Sequence, residues 1–235
     1  MKTNSYARPE SIDTEILCRI QGIIFDVDGT LYDQSALRRR IATRLVGAYW
    51  AKPTKGIRVI QALKAYRQAH EELRNQPFSA DLQLDAAAAK CGHSTTEVRA
   101  AVDQWFDTAP LSLLGGCVYP GVPEFLTLLR ELDLACGVFS DYPAEKKLSA
   151  MGLKSCFSPV HCAGDVGRQK PDPTGILTVA REMGLDPERT LYIGDRNIDM
   201  EAATQAGMYG VLVGGHSDWQ ILHGRFATSR DRRIS

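Results

Sequence analysis

This chain has no run of about 18 apolar residues that could cross a bilayer. It has no excess of charge of either sign: Lys plus Arg and Asp plus Glu each number 28, for a formal net charge of +0. A balanced chain carries no electrostatic footprint for nucleic acid or an anionic membrane surface, so neither is expected as a partner. Its six cysteines (Cys18, Cys91, Cys117, Cys136, Cys156 and Cys162) include no Cys-x-x-Cys pair, which argues against a zinc site. Several fall in apolar stretches, where a free cysteine behaves as a small hydrophobe, and the chain reads as reduced and cytoplasmic. Met1 to Glu15 holds no long apolar run, so no secretory leader is expected there. His70 and His93 lack the spacing of metal ligands, His161 falls in a strand-like stretch, and His216 and His223 lie in the tail; none is assigned to catalysis. Internal repeats and low-complexity tracts are absent as well. What is left is a chain of 235 residues, enough for one large or two modest domains with a real core.

What is present concentrates in four short strings. The first, Phe25-Asp26-Val27-Asp28-Gly29-Thr30-Leu31, ends an apolar run from Ile20 to Phe25 that reads as a buried strand. Alternate strand residues point to the same side. Both carboxylates can therefore face one pocket at the strand's C-terminal end, the edge where open α/β sheets bind ligands. Asp and Gly after a strand can also simply open a turn. Chemically, a carboxylate can attack a metal-bound phosphoryl group, while a second acid protonates the leaving alkoxide and then deprotonates water. The second string, Val138-Phe139-Ser140-Asp141, ends the stretch Leu134 to Phe139 with a hydroxyl able to hydrogen-bond a phosphoryl oxygen. Asp141 is unfavourable beside a phosphate and is read as an N-cap for a helix begun by Pro143. The third, Lys170-Pro171-Asp172-Pro173, carries a point charge suited to phosphate or to a crowd of carboxylates, with Arg168 as a basic alternative. The fourth, Ile193-Gly194-Asp195-Arg196-Asn197-Ile198-Asp199, sets two acids four residues apart where a helix begins. Such acids can merely stabilise the positive end of the helix. With Asp26 they can also cradle Mg²⁺, a hard cation held by one or two carboxylates plus water and substrate oxygens.

In order and setting the four strings resemble the haloacid dehalogenase-like superfamily of aspartyl-phosphate phosphatases, over about residues 20–215. Within it they resemble the helical-capped, phosphoglycolate-phosphatase-like members. The resemblance implies that Asp26 is the nucleophile, Asp28 the general acid/base, and Ser140 and Lys170 the phosphoryl-binding groups. It implies Mg²⁺ held by Asp26, by the backbone carbonyl of Asp28 and by Asp195, with Asp199 as a ligand or as the holder of a metal-bound water. The family often has Asn where this chain has Asp141, a departure that touches the leaving-group side. The implied reaction is Mg²⁺-dependent hydrolysis of a small phosphate monoester through an aspartyl-phosphate. The expected partner is a small phosphorylated metabolite such as a sugar phosphate, phosphoglycolate or a nucleotide-type monophosphate. Dehalogenases of the superfamily need no metal and no second acid, so Asp28, Asp195 and Asp199 argue against that chemistry. A phosphomutase of the same fold and a catalytically silent phosphate-binding regulatory protein stand as alternatives.

After Gly121 the pattern alternates helix and strand: Val122–Leu132, Leu134–Phe139, Ala144–Met151, Pro159–Ala163, Thr174–Met183, Thr190–Ile193, Asn197–Ala206 and Tyr209–Val213. That alternation gives an α/β class, a Rossmann-like parallel sheet core with an inserted helical cap. The core is expected over residues 1–32 and 116–235 and the cap over 33–115. Within the insertion Leu37, Ile41, Leu45 and Ala48 share one helical face, and Ile57, Ile60, Leu63 and Leu73 another. Ser94-Thr95-Thr96-Glu97 is a capping box opening a helix through Phe106. By the resemblance this is a type-C1 cap, hinged near Asp33 and Gly115-Gly116, which closes over the site and excludes water. One of Arg38, Arg39 and Arg40 is expected to reach the pocket, and Tyr49, Trp50 and Tyr66 to pack internally. The tail from His216 is expected to be polar and frayed, with Trp219, Ile221 and Leu222 as its docking residues.

Overall fold

The computed structural model describes residues 6–233, so the first five residues of the stretch read for a leader lie outside it. Short apolar strands spaced by helices assemble as β1 (Tyr6–Ala7), α1 (Thr14–Arg19), β2 (Gly22–Phe25), then helices α2 (Gln34–Tyr49), α3 (Pro53–Glu72), α4 (Ala80–Cys91), α5 (Thr95–Val102) and α6 (Leu111–Leu114). The chain continues as α7 (Val122–Glu131), β3 (Ala135–Ser140), α8 (Glu145–Ala150), β4 (Val160–Cys162), α9 (Ala163–Val166) and α10 (Thr174–Glu182). It ends with β5 (Thr190–Gly194), α11 (Asn197–Gln205), β6 (Tyr209–Leu212) and α12 (His216–Arg233).

The six strands form one parallel sheet in the order β1-β6-β5-β2-β3-β4. The chain runs outward from β2 through β3 to β4, then returns to β5 and β6 on the other side. The reversal beside β2 opens a crevice at the C-terminal ends of the central strands, where open α/β sheets bind their ligands. Strand alternation sends Ile23 and Phe25 into one apolar layer and Ile24 into the other, and likewise Leu191 and Ile193 opposite Tyr192. Both faces are covered by helices, as an all-parallel sheet requires.

The segment between β2 and α7 is helical and has its own apolar cluster, built around Leu45, Leu63, Leu84, Val98 and Trp105. Its two crossings to the sheet run side by side. Asp33 N–H donates to the Cys117 carbonyl at 2.9 Å, and Tyr32 bridges Val118 in antiparallel fashion. The Ser94–Glu97 capping box is present, but the helix it opens ends at Val102 and passes into a wider π turn over Asp103–Thr108.

Four other expectations need correction. Ile57 and Ile60 are exposed, because α3 packs through Ala62, Leu63, Ala65 and Ala69 instead. Trp50 is 83 % exposed, at the turn between α2 and α3, and is not internal packing. Asp141 caps no helix: α8 starts after Ala144 with no side-chain cap. The tail is helical rather than frayed over His216–Arg233, residues 234–235 lying outside the described residues: α12 buries Trp219 and Leu222, two of the expected docking residues, and also Phe226 completely, a sparse stripe at helical spacing in a polar sequence. Trp219 stacks on Phe25, the residue before Asp26, with ring centroids 6.4 Å apart. Phe226 meets Phe125 of α7 at 5.2 Å. Among the described residues no helix is long and apolar enough to cross a membrane.

Candidate active site

Asp26 follows β2 directly, and its N–H continues the ladder by donating to the Ile193 carbonyl of β5 at 2.9 Å. Ser140 closes β3 and Asp195 follows β5, so neighbouring strand ends deliver three polar groups to one crevice. Lys170 arrives from the loop between α9 and α10. Its ammonium lies 2.5 Å from Asp26 Oδ1 and 2.7 Å from Asp199 Oδ1, and it donates to the Tyr192 hydroxyl at 3.2 Å. Arg168, the basic alternative, pairs at the surface with Asp172. Asp26, Asp28, Ser140 and Lys170 all line a cavity of about 380 Å³ between the sheet edge and the helical segment. Arg38, Arg67 and Phe106 form part of its far wall, so of the three consecutive arginines it is Arg38 that reaches the pocket.

One carboxylate oxygen each from Asp26, Asp195 and Asp199 lies within 4.8 Å of the others. The Thr30 hydroxyl sits between two of them, 2.9 Å from Asp26 Oδ2 and 3.2 Å from Asp195 Oδ1; with one proton it serves one at a time. Asp199 Oδ2 accepts the Arg196 N–H at 2.9 Å, which fixes that carboxylate at the start of α11. Gly29 has φ +95°, and a Cβ there would fall 2.3 Å from Asp195 Oδ2, so only glycine allows Asp195 this position. The Asp28 carboxylate stands apart from this trio. Lys147 of α8 holds both its oxygens at 2.6 Å, and the Tyr32 hydroxyl donates to it.

The trio is short of positive charge. Burial pushes the Asp26 carboxyl up to about 8; Lys170 opposes that shift, while Asp199, Asp195 and Asp28 add to it. Burial and then Asp199 likewise raise Asp195 to about 6. Burial works against the Lys170 charge, but Asp199 and Asp26 outweigh it and keep the ammonium protonated. Three hard oxygen donors facing one ammonium suit an oxygen-seeking divalent cation such as Mg²⁺.

Several participants had no signal in the sequence. Tyr192 sits inside a strand that reads as plain core, yet its hydroxyl receives Lys170 and donates to the Phe139 carbonyl at 3.2 Å. Lys147 is one of two adjacent lysines on a short helix. Arg74 comes from the helical segment and reaches Asp141 Oδ2 at 2.7 Å, where the sequence suggested only a capping residue. Burial alone raises the Asp141 carboxyl, but Lys170, His70 and Arg74 together hold it well below the usual carboxylate range. The His70 Nε2 lies 3.8 Å from Asp141, beyond hydrogen-bond reach, while its Nδ1 faces Gln83 Oε1 at 3.2 Å.

Residues 20–207 match the family described as haloacid dehalogenase-like hydrolase. The chain is 32% identical over 206 residues to a glyceraldehyde 3-phosphate phosphatase of Methanopyrus kandleri, covering 83% of this chain and 84% of that protein. It is 28% identical over 203 residues to a phosphoglycolate phosphatase of Shigella dysenteriae, covering 80% of this chain and 79% of the relative. Among solved structures it resembles a β-phosphoglucomutase of Clostridium difficile with a TM-score of 0.57, at 18% identity, covering 92% of this chain and 99% of the other. At that identity the likeness speaks for the fold alone.

Proposed function

The chain belongs to the haloacid dehalogenase-like hydrolases as a phosphoric monoester hydrolase related to the phosphoglycolate-phosphatase-like proteins, and on that premise we propose how it works. It hydrolyses a small phosphate monoester with Mg²⁺ through an aspartyl-phosphate on Asp26. The observation that carries this reading is the meeting of four groups at one sheet edge: Asp26 facing the cavity, Lys170 Nζ at 2.5 Å from it, and the Asp195 and Asp199 oxygens beside it.

Asp26, Asp195 and Asp199 would hold Mg²⁺, joined by the Asp28 carbonyl. The ion supplies positive charge against the phosphoryl oxygens and against the crowded carboxylates. Lys170 and the Ser140 hydroxyl take phosphoryl oxygens and hold the phosphorus in line with Asp26. The Asp26 carboxylate then forms the new P–O bond as the ester P–O bond breaks, and Asp28 gives its proton to the leaving oxygen. In the second half Asp28 takes a proton from water as that water attacks the aspartyl-phosphate, which returns Asp26 and releases phosphate. Asp28 must turn from Lys147 and Tyr32, which hold its carboxylate oxygens in this structure, to do this.

The helical segment, residues 33–115, acts as the cap. A lid of this size over a 380 Å³ cavity admits a metabolite and excludes a folded phosphoprotein. Leaving-group selection then falls to Arg38, Arg67 and Phe106, which face the cavity from the cap. The test is release of free phosphate from an aryl phosphate and from a phosphometabolite panel. The expected result is Mg²⁺-dependent turnover that disappears in Asp26→Asn. Retained activity in that variant would contradict the proposal, and interconversion of sugar phosphates with little free phosphate would point to a mutase.

A further inference from the structure

Lys170 is held by more than its side chain. Its backbone N–H donates to Asp141 Oδ1 at 3.1 Å, and its carbonyl accepts from Arg74 Nη1 at 2.6 Å. The same Arg74 Nη1 donates to Asp141 Oδ2 at 2.7 Å, and both side chains are only 8% exposed. Both main-chain polar groups of the lysine are therefore taken by the two members of one buried ion pair. One member follows β3. The other stands just beyond α3, in the helical segment.

The grip extends to a second loop. Arg74 also donates to Glu71 Oε2 through Nε at 3.0 Å and Nη2 at 2.9 Å, and Glu71 Oε1 accepts from Arg196 Nη2 at 3.0 Å. Arg196 is the neighbour of Asp195. A backbone bond ties the same region down: Phe78 N–H donates to the Gly167 carbonyl at 2.8 Å. A single turn of the helical segment thus contacts the lysine loop and the Asp195 loop together.

We propose that Arg74 is a positioning residue: by docking on Asp141 it fixes the Lys170 backbone, so the grip on the phosphoryl group is complete only when the helical segment is closed on the sheet. The proposal rests on the phosphatase reading of the site. Withdrawal of Arg74 leaves the buried Asp141 carboxylate without the cation bonded to it, an unfavourable state that Asp141 escapes by moving or admitting water. The Lys170 N–H is bonded to that carboxylate and moves with it. The Glu71–Arg196 pair is about half exposed on each side and contributes little alone, so the weight falls on Arg74–Asp141. A shift of about 1 Å in a positioned catalytic group is enough to cost about a hundredfold in rate.

The experiment compares Arg74→Ala, Arg74→Lys and Asp141→Asn in the full chain. It follows kcat and KM on an aryl phosphate with Mg²⁺, and hydrogen exchange at the Lys170 amide without substrate. Arg74→Ala is expected to lower kcat about a hundredfold with KM within about threefold of the parent, the signature of a group lost from the transition state alone. Its Lys170 amide should exchange faster while the amides of β2 and β5 keep their protection. Arg74→Lys keeps the charge but cannot fork between Asp141 and the carbonyl, so it should restore part of the rate. Asp141→Asn removes the charge and keeps an acceptor for only one of the two donors, the Lys170 N–H or Arg74 Nη1, and should fall between the parent and Arg74→Ala. Parent-like kcat in Arg74→Ala, a loss confined to KM, or protection lost across the whole sheet would each overturn the proposal. If the parent chain turns over no phosphate ester, the phosphatase reading fails, and the exchange measurement decides the positioning role by itself.

Discussion

Replacing Lys170 with alanine removes the ammonium that, among the described residues, touches both Asp26 and Asp199. The three side chains are 3%, 6% and 0% exposed, so the carboxylates left behind cannot recover water. Removing one partner of a buried pair costs about 3–5 kcal/mol. Here part of that is relieved by protonation, because Asp26 already holds its proton up to about pH 8. The penalty at pH 7 is therefore expected near the low end, about 3 kcal/mol. Above pH 8 it should grow. In the unfolded chain an aspartate releases its proton near 3.9, so a folded value raised above that means stability falls as pH rises through the window between the two. In the parent that fall stops at about pH 8. In Lys170→Ala the opposing charge is gone, the folded value climbs further, and stability continues to fall by about 1.4 kcal/mol per pH unit until it is reached. Urea unfolding in EDTA at neutral and alkaline pH, with equal m-values as the control, reads this directly. The same variant should lose about 10²–10³ in kcat on every substrate alike, as one preorganised group facing developing charge is worth. A loss below about 1 kcal/mol, set against the 3–5 kcal/mol of a broken buried pair, or one that is the same at both pH values, would refute the reasoning.

Three further outcomes are expected. Mg²⁺ must displace protons from Asp26 and Asp195, raised to about 8 and about 6, so the rise in Tm on adding Mg²⁺ should be small at pH 5, increase toward pH 8 and vanish in Asp195→Asn; an equal shift at both pH values would count against the cluster. Gly29→Ala puts a Cβ against Asp195 Oδ2 at 2.3 Å in a backbone conformation of φ +95°, and calorimetric titration should show Mg²⁺ affinity lowered by about tenfold or more in a folded protein. Phe226→Ala should cost about 3–5 kcal/mol by urea unfolding, since Phe226 is fully buried against Phe125; a change within the error of the method would mean that α12 is not part of the core.

The sheet and the polar residues at its edge were legible because each depends on local chemistry. A strand buried on both faces reads as an apolar run, and an acid placed just beyond it must sit at the C-terminal edge; Asp26 and Asp195 are placed by that logic alone. The misses share a different cause. Strand β1 has two residues, Tyr6 and Ala7, and takes its strand character from pairing with Gly210 and Val211. Helix α12 buries Trp219 and Leu222 as the sequence suggested, but its continuation to Phe226 was not legible in a sequence whose average is polar, since that docking depends on Phe125 lying opposite. Trp50 and Ile57 are apolar yet exposed, since hydrophobicity alone does not say which face of a cap helix meets another element.

Asp141 shows the same limit at the site itself. Read locally, an acid two residues before a proline is a helix cap, because nothing nearby in sequence offers it a cation. Its cation is Arg74, sixty-seven positions away, and its other partner is the Lys170 backbone, twenty-nine positions the other way. What makes an anion tolerable at this sheet edge is thus a charge carried by the inserted segment. The departure from the usual asparagine is then neither neutral nor a repulsion to be endured. With Arg74 docked, the pair is a rigid strut behind Lys170; with Arg74 withdrawn, Asp141 is a buried anion that must move, and the Lys170 backbone bonded to it moves as well. That makes Asp141 and Arg74 functional as a pair and harmful singly. The double variant Arg74→Ala with Asp141→Asn should therefore retain more activity than the product of the two single losses.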